Sequence, residues 1–149
     1  MRGPGLSALG PAGFASAVTA GRLIGQARAA VMTPRQLLVL GAATAAAGTL
    51  IAALAGSVPV ALAGIVLAGL GTSVCAPTVI SVAGAAVPAA HQGAAVSTVT
   101  TIAYLGFVIG PAAVGGLAAL IDLRTSLSVV AALGLALAAG AAVAALPER

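Results

Sequence analysis

Charge is what this chain has least of. Acidic and basic side chains are 5% of its 149 residues, against roughly 25% in a soluble domain whose surface must face water. Six basic and two acidic side chains cannot coat a chain of this length. The poverty of charge also excludes disorder, which needs a polar, weakly apolar composition. Lysine is absent altogether, and the arginines do not gather into the stripe that a phosphate backbone requires, so nucleic acid is not an expected partner. With Cys75 as the single cysteine, an internal disulfide and a multi-cysteine metal site are both ruled out. Tryptophan is missing, and one tyrosine and two phenylalanines leave almost no aromatic belt to set helix ends. There are no paired carboxylates, no Cys/His ligand set and no phosphate-binding loop. Gly69-Leu70-Gly71 begins a dinucleotide-like fingerprint, but inside an apolar helix with no βαβ context. His91 falls in a connection. The expectation is a protein that is not an enzyme, holding no cofactor and no metal.

What remains is apolar: 61% of the residues are hydrophobic, too many to serve only as a core. The apolar material must face lipid. Charge-free runs cover 3–21, 36–90, 94–121 and 125–147. About 20 apolar residues cross a hydrocarbon core of ~30 Å, so the run 36–90 must hold two helices. Gly56-Ser57-Val58-Pro59 is its natural break. No segment alternates apolar and polar with period two, which argues against a barrel, and a backbone in lipid must satisfy its own hydrogen bonds as helix. The reading is an all-α membrane protein: one polytopic helix bundle over 1–149, with spans near 5–24, 36–55, 60–87, 93–121 and 125–147. The third and fourth spans exceed the bilayer thickness, so they must tilt, kink or protrude, and Pro77 and Pro111 permit a kink.

Arginine placement sets the direction. Arg22, Arg28 and Arg35 flank the first connection, and Arg149 lies on the same side; Arg2 and Arg124 lie opposite, the latter offset by Asp122. This bias puts the 22–35 loop and the C-terminus in the cytoplasm. A competing reading makes the first span a signal peptide cleaved after Val18-Thr19-Ala20, but Pro4 and Pro11 break its apolar stretch.

Helices in lipid associate through close backbone contact, and small residues recur at four-residue spacing: Gly13, Ala17, Gly21 and Gly25, then Gly106 and Gly110. No ionisable group lies in the middle of a span, where it would mark a functional site by default. The polar groups left inside are hydroxyls and a thiol, concentrated in the third and fourth spans. Ser73, Pro77 and Ser81 share one helical face with Thr78 nearby; Ser97, Thr101 and Tyr104 share another. Any one of them could simply bond back to its own helix. As a set they make these two spans candidates for lining a substrate cavity, at Ser73, Thr78, Ser97, Thr101 and Tyr104, while the second and fifth spans are plain.

The segment Gly21-Arg22-Leu23-Ile24-Gly25-Gln26, continuing through Arg28 to Pro34-Arg35, resembles the basic loop between the eighth and ninth helices of the major facilitator superfamily. Ala103-Tyr104-Leu105-Gly106-Phe107-Val108-Ile109-Gly110-Pro111 resembles the eleventh helix of a bacterial branch, and Ser126-Leu127 fits the start of the twelfth. The resemblance covers roughly 13–147. It implies a partial major-facilitator fold, helices eight to twelve of a transporter that moves a small solute by alternating access. It further implies that Gly21, Arg22, Gly25, Gln26, Arg28 and Arg35 belong to a cytoplasmic gate, and that Pro77, Gly106, Gly110 and Pro111 serve packing or kinking. The chain is then expected to be incomplete, partnered by the bilayer, an unidentified small molecule and the missing N-terminal helices of its parent, in the cell membrane. Gln26 and Ala27 stand where the family's loop has an Asp and an Arg, which removes a pair of gate charges. The alternative is a small non-transporting multi-pass subunit beside a larger complex; a membrane enzyme is remote.

Overall fold

Helix boundaries here are made by a few polar and proline residues in an otherwise uniform apolar background. Thr33 and Gln36 form a capping box: the Gln36 amide donates to Thr33 Oγ1 at 3.3 Å, and the Thr33 amide donates to Gln36 Oε1 at 3.0 Å. Pro34 supplies the first helical residue, where a missing N–H costs nothing. Pro59, the second residue of the helix that starts at Val58, likewise sits in a first turn where its missing N–H costs nothing, and a single 3-10 turn at Ala89–His91 follows Pro88. Asp122 caps the last helix.

The computed structural model describes residues 4–29 and 31–144, with the side chains of 11, 13–23, 25 and 31–144. Its helices are α1 (Pro4–Ala29), α2 (Pro34–Leu54), α3 (Val58–Ala85), α4 (Gln92–Leu120) and α5 (Leu123–Val143). No strand occurs among the described residues. Four stretches are long and apolar enough to cross a membrane: Pro34–Leu54, Val58–Ala85, Ala89–Leu120 and Leu123–Val143. Glycine, serine and arginine dilute α1, which stands outside that set. α1 also runs beyond the expected 24, through Arg22 and Gly25 to Ala29, because Gln-Ala-Arg-Ala is made of good helix formers. The basic segment is thus mostly helical. α3 and α4 continue unbroken through Pro77 and Pro111.

α3 is the hub. It packs most extensively on α2 and also on α1, while α2 carries α5 on its other side; α4 touches α3 and α5 only lightly, and α1 scarcely meets α2. The buried residues are small: Ala17, Ala46, Ala53, Ala131 and Ala138, with Leu37, Ser73 and Ser126. Such a core has little side-chain volume to interlock, so backbones approach instead. Gly41 lies against Gly71 and Gly48 against Gly64, two pairs one heptad apart on the antiparallel α2 and α3. A Cβ on Gly48 would come 2.7 Å from the Gly64 carbonyl, and one on Gly64 would come 2.7 Å from the Gly48 carbonyl.

Candidate functional site

The end of α1, the start of α2 and the second half of α3 leave a cleft of about 550 Å³ between them. Arg22 and Gly25 come from α1, Pro34 and Leu37 from α2, and Ser73, Pro77, Thr78 and Ser81 from α3. A narrower recess of about 230 Å³ adjoins it, sharing Gly25, Met32, Leu37 and Val74 and reaching Gly41 and Thr44. The cleft exists because α1 and α2 both pack on α3 but hardly on each other. Its volume lies within the range of ordinary ligand pockets, and its walls are mostly apolar with a few polar groups, as such pockets usually are.

Two of the five expected cavity residues meet here. Thr78 is half-buried on the wall, and its hydroxyl donates to the Val74 carbonyl at 2.6 Å. Ser73 lies deeper, buried against Gly21, and its hydroxyl donates to the Leu70 carbonyl at 2.6 Å. Both donors are therefore spent on the helix, leaving oxygen lone pairs toward the cleft. The other three, Ser97, Thr101 and Tyr104, lie exposed on α4 and line neither recess. Thr101 donates to the Ser97 carbonyl at 2.9 Å, and Tyr104 is 68% exposed.

Of the expected gate residues, Gly21, Arg22 and Gly25 sit on α1 facing α3 or the cleft, and Arg35 is exposed in the first turn of α2. The side chains of Gln26 and Arg28 lie outside the described residues. Pro77 lines the cleft, whereas Gly106, Gly110 and Pro111 face open space on α4. Sequence reasoning missed Met32, in the connection before α2, and Leu37, in its first turn, which with Pro34 make that wall. The Thr33–Gln36 capping box was the available signal, since it fixes the start of α2 close behind the end of α1.

At the opposite end, α5 is tied to α2. Arg124 Nε donates to the Ala53 carbonyl at 3.0 Å and Nη2 to the Leu54 carbonyl at 3.4 Å, filling two acceptors that the end of α2 leaves open. Asp122 accepts from the Thr125 hydroxyl at 2.6 Å and from the Thr125 amide at 2.9 Å. These bonds, the hydroxyl first, hold its carboxyl below the ordinary value, with smaller help from Arg124.

An all-helical bundle of small-residue interfaces, with apolar helices of membrane-crossing length, defines a multi-pass membrane protein. The sequence model of the Major Facilitator Superfamily matches residues 4–149, and the chain belongs to that family. It is similar to an uncharacterised MFS-type transporter of Yersinia pestis, 36% identical over 140 residues, covering 93% of this chain and 36% of the relative. The chain thus spans about a third of the length of that curated relative. No solved structure matches it.

Proposed function

We propose that the chain carries part of the solute path of a secondary transporter that moves a small molecule by alternating access. The observation that carries the reading is the cleft among α1, α2 and α3, in which Arg22 and the α3 hydroxyls face apolar walls in a chain of this family. The path continues from Thr78 and Ser73 across α3 to the face of α4 that bears Ser97, Thr101 and Tyr104. Arg22, Gly25 and Arg35, with Gln26 and Arg28, form the cytoplasmic gate. The apolar α4 face, open at Gly106 and Gly110, is covered by further helices of a full-length transporter in the cell membrane. Membership of a transporter family supports carriage of a solute rather than chemistry upon it.

Single cysteines in a Cys75→Ser background test the path in membranes. Cysteine at Thr78, Ser81, Thr101 or Tyr104 should react with a small water-soluble thiol reagent about tenfold faster than at Leu50 or Leu135. Those two apolar side chains are also exposed, but on the plain helices α2 and α5. Fast reaction at 78 and 81 with none at 101 and 104 would confine the path to the cleft. Equal rates at all six would defeat the assignment.

A further inference from the structure

The polar groups of the cleft are one-sided in charge. Among the described residues, Arg22 is its only ionisable lining residue. Asp122, the acidic side chain among the described residues, sits beside Arg124, which holds the Ala53 and Leu54 carbonyls at the far end of α2. A helix of 21 residues separates that end from Pro34, about 30 Å at 1.5 Å per residue, so Asp122 cannot neutralise Arg22. The start of α2 adds to the same sign. Pro34 and Leu37 line the cleft, and the first turn of α2 contains no acidic residue, so roughly half a positive charge at the helix end stands uncancelled. α1 and α3 each run about a turn past the cleft, to Ala29 and Ala85, which keeps their carbonyl ends clear of it. Ser73 and Thr78 have already committed their protons to backbone carbonyls, so the guanidinium is the strong donor available to a guest. The remaining wall, Met32, Leu37, Val74 and Ile80 among it, is apolar.

We infer that this cleft takes an amphiphilic anion, its carboxylate or phosphate on Arg22 and its apolar body against α2 and α3. The inference rests on the cleft being part of the solute path and names the class of solute. A cation is repelled by Arg22 and by the end of α2, and a neutral guest gains no charge-assisted bond from the guanidinium. The same chemistry is offered by a soluble fatty anion and by the head of an anionic phospholipid.

Photo-crosslinking separates these cases. The full chain in phosphatidylcholine nanodiscs is exposed to a diazirine-bearing decanoate and, separately, to its decanol counterpart, with labelled peptides mapped by mass spectrometry. Decanoate should label 22–37 and 73–81, and unlabelled decanoate or decyl phosphate should compete at least tenfold better than decanol or decyltrimethylammonium. Arg22→Gln should weaken decanoate labelling about tenfold, and Arg22→Lys should restore part of it. Helix content and melting should stay unchanged in both, since this side chain is exposed. Loss of decanoate labelling when phosphatidylglycerol is added to the disc assigns the anion to the bilayer; persistence assigns it to water. Equal cleft labelling by both probes, indifferent to Arg22→Gln, overturns the anion while leaving the cleft as a binding site. No cleft labelling by either probe overturns the cleft itself.

Discussion

A single added carbon separates two kinds of glycine in this chain. At Gly48 a Cβ meets backbone on α3, the Gly64 carbonyl at 2.7 Å and the Ala68 amide nitrogen closer still. Backbone cannot swing aside as a side-chain tip can, so the helices must part. Gly106 has nothing within 4 Å of its would-be Cβ. Gly48→Ala should therefore destabilise the chain by about 1–3 kcal/mol, the usual cost of overpacking, despite alanine's better helix propensity. Gly106→Ala should stabilise it by roughly 0.5–1 kcal/mol, the ordinary gain from replacing an interior helical glycine. Unfolding in mixed micelles checks both, and similar effects at the two positions would refute the distinction. The four-residue glycine pattern was visible in the sequence at 13, 21 and 25, and there Gly21 and Gly25 do press on Ser73 and Val74. The heptad pairs Gly41–Gly71 and Gly48–Gly64 were not visible. In an alanine-rich helix, a glycine's importance depends on which helix lies opposite, and a sequence does not show that.

At the scale of the element, both ends of α2, α3 and α4 and the start of α5 fall within two residues of the expected bounds, because proline, Gly-Ser and Asp interrupt uniform apolar runs, whereas α5 ends at Val143, four residues before the expected 147. The end of α1 is less legible: the expected span stops at 24 within the basic segment, while alanine, glutamine and arginine are good helix formers and carry the helix on to Ala29. The cleft was half legible for a related reason. Its α3 wall carries hydroxyls that stand out from the background, whereas Met32 and Leu37 on its α2 side are apolar like their neighbours. The α4–α5 connection makes a prediction at this scale. Asp122 has a folded pKa below the ordinary 3.8, so its cap stabilises fully above that value and is lost as pH falls through the depressed one. Thermal unfolding from pH 6 downward should show this loss in the native chain. Asp122→Asn should keep an acceptor for the Thr125 amide but flatten the dependence. Arg124→Lys, which cannot reproduce the forked contact with Ala53 and Leu54, should lower the melting temperature at every pH. An unchanged pH profile in Asp122→Asn would show that the carboxylate is not the titrating group.

For the whole molecule, helix direction and arginine placement bear on the same question from different physics. Antiparallel packing of α2 on α3 puts Val31 and the turn at Ala89–His91 at one end of the bundle, and Gly56 with Asp122 at the other. The first end holds Arg22 and Arg35 with no acidic residue among its described neighbours. At the second end Arg124 is accompanied by Asp122 and is bound to the carbonyls of α2, which reduces its value as a topological signal. Basic residues are retained on the cytoplasmic side during insertion, so the first end should face the cytoplasm. Single cysteines at Val31, Gly56 and Ala90, each exposed and each in a Cys75→Ser background, provide the test. An impermeant maleimide applied to intact cells should label only position 56. Applied to inverted vesicles, it should label 31 and 90 and spare 56. Labelling of 31 and 90 from opposite sides would mean that α2 and α3 do not both cross the bilayer. The reverse pattern at all three sites would keep the bundle but turn it over, placing the Arg22 cleft at the outer face.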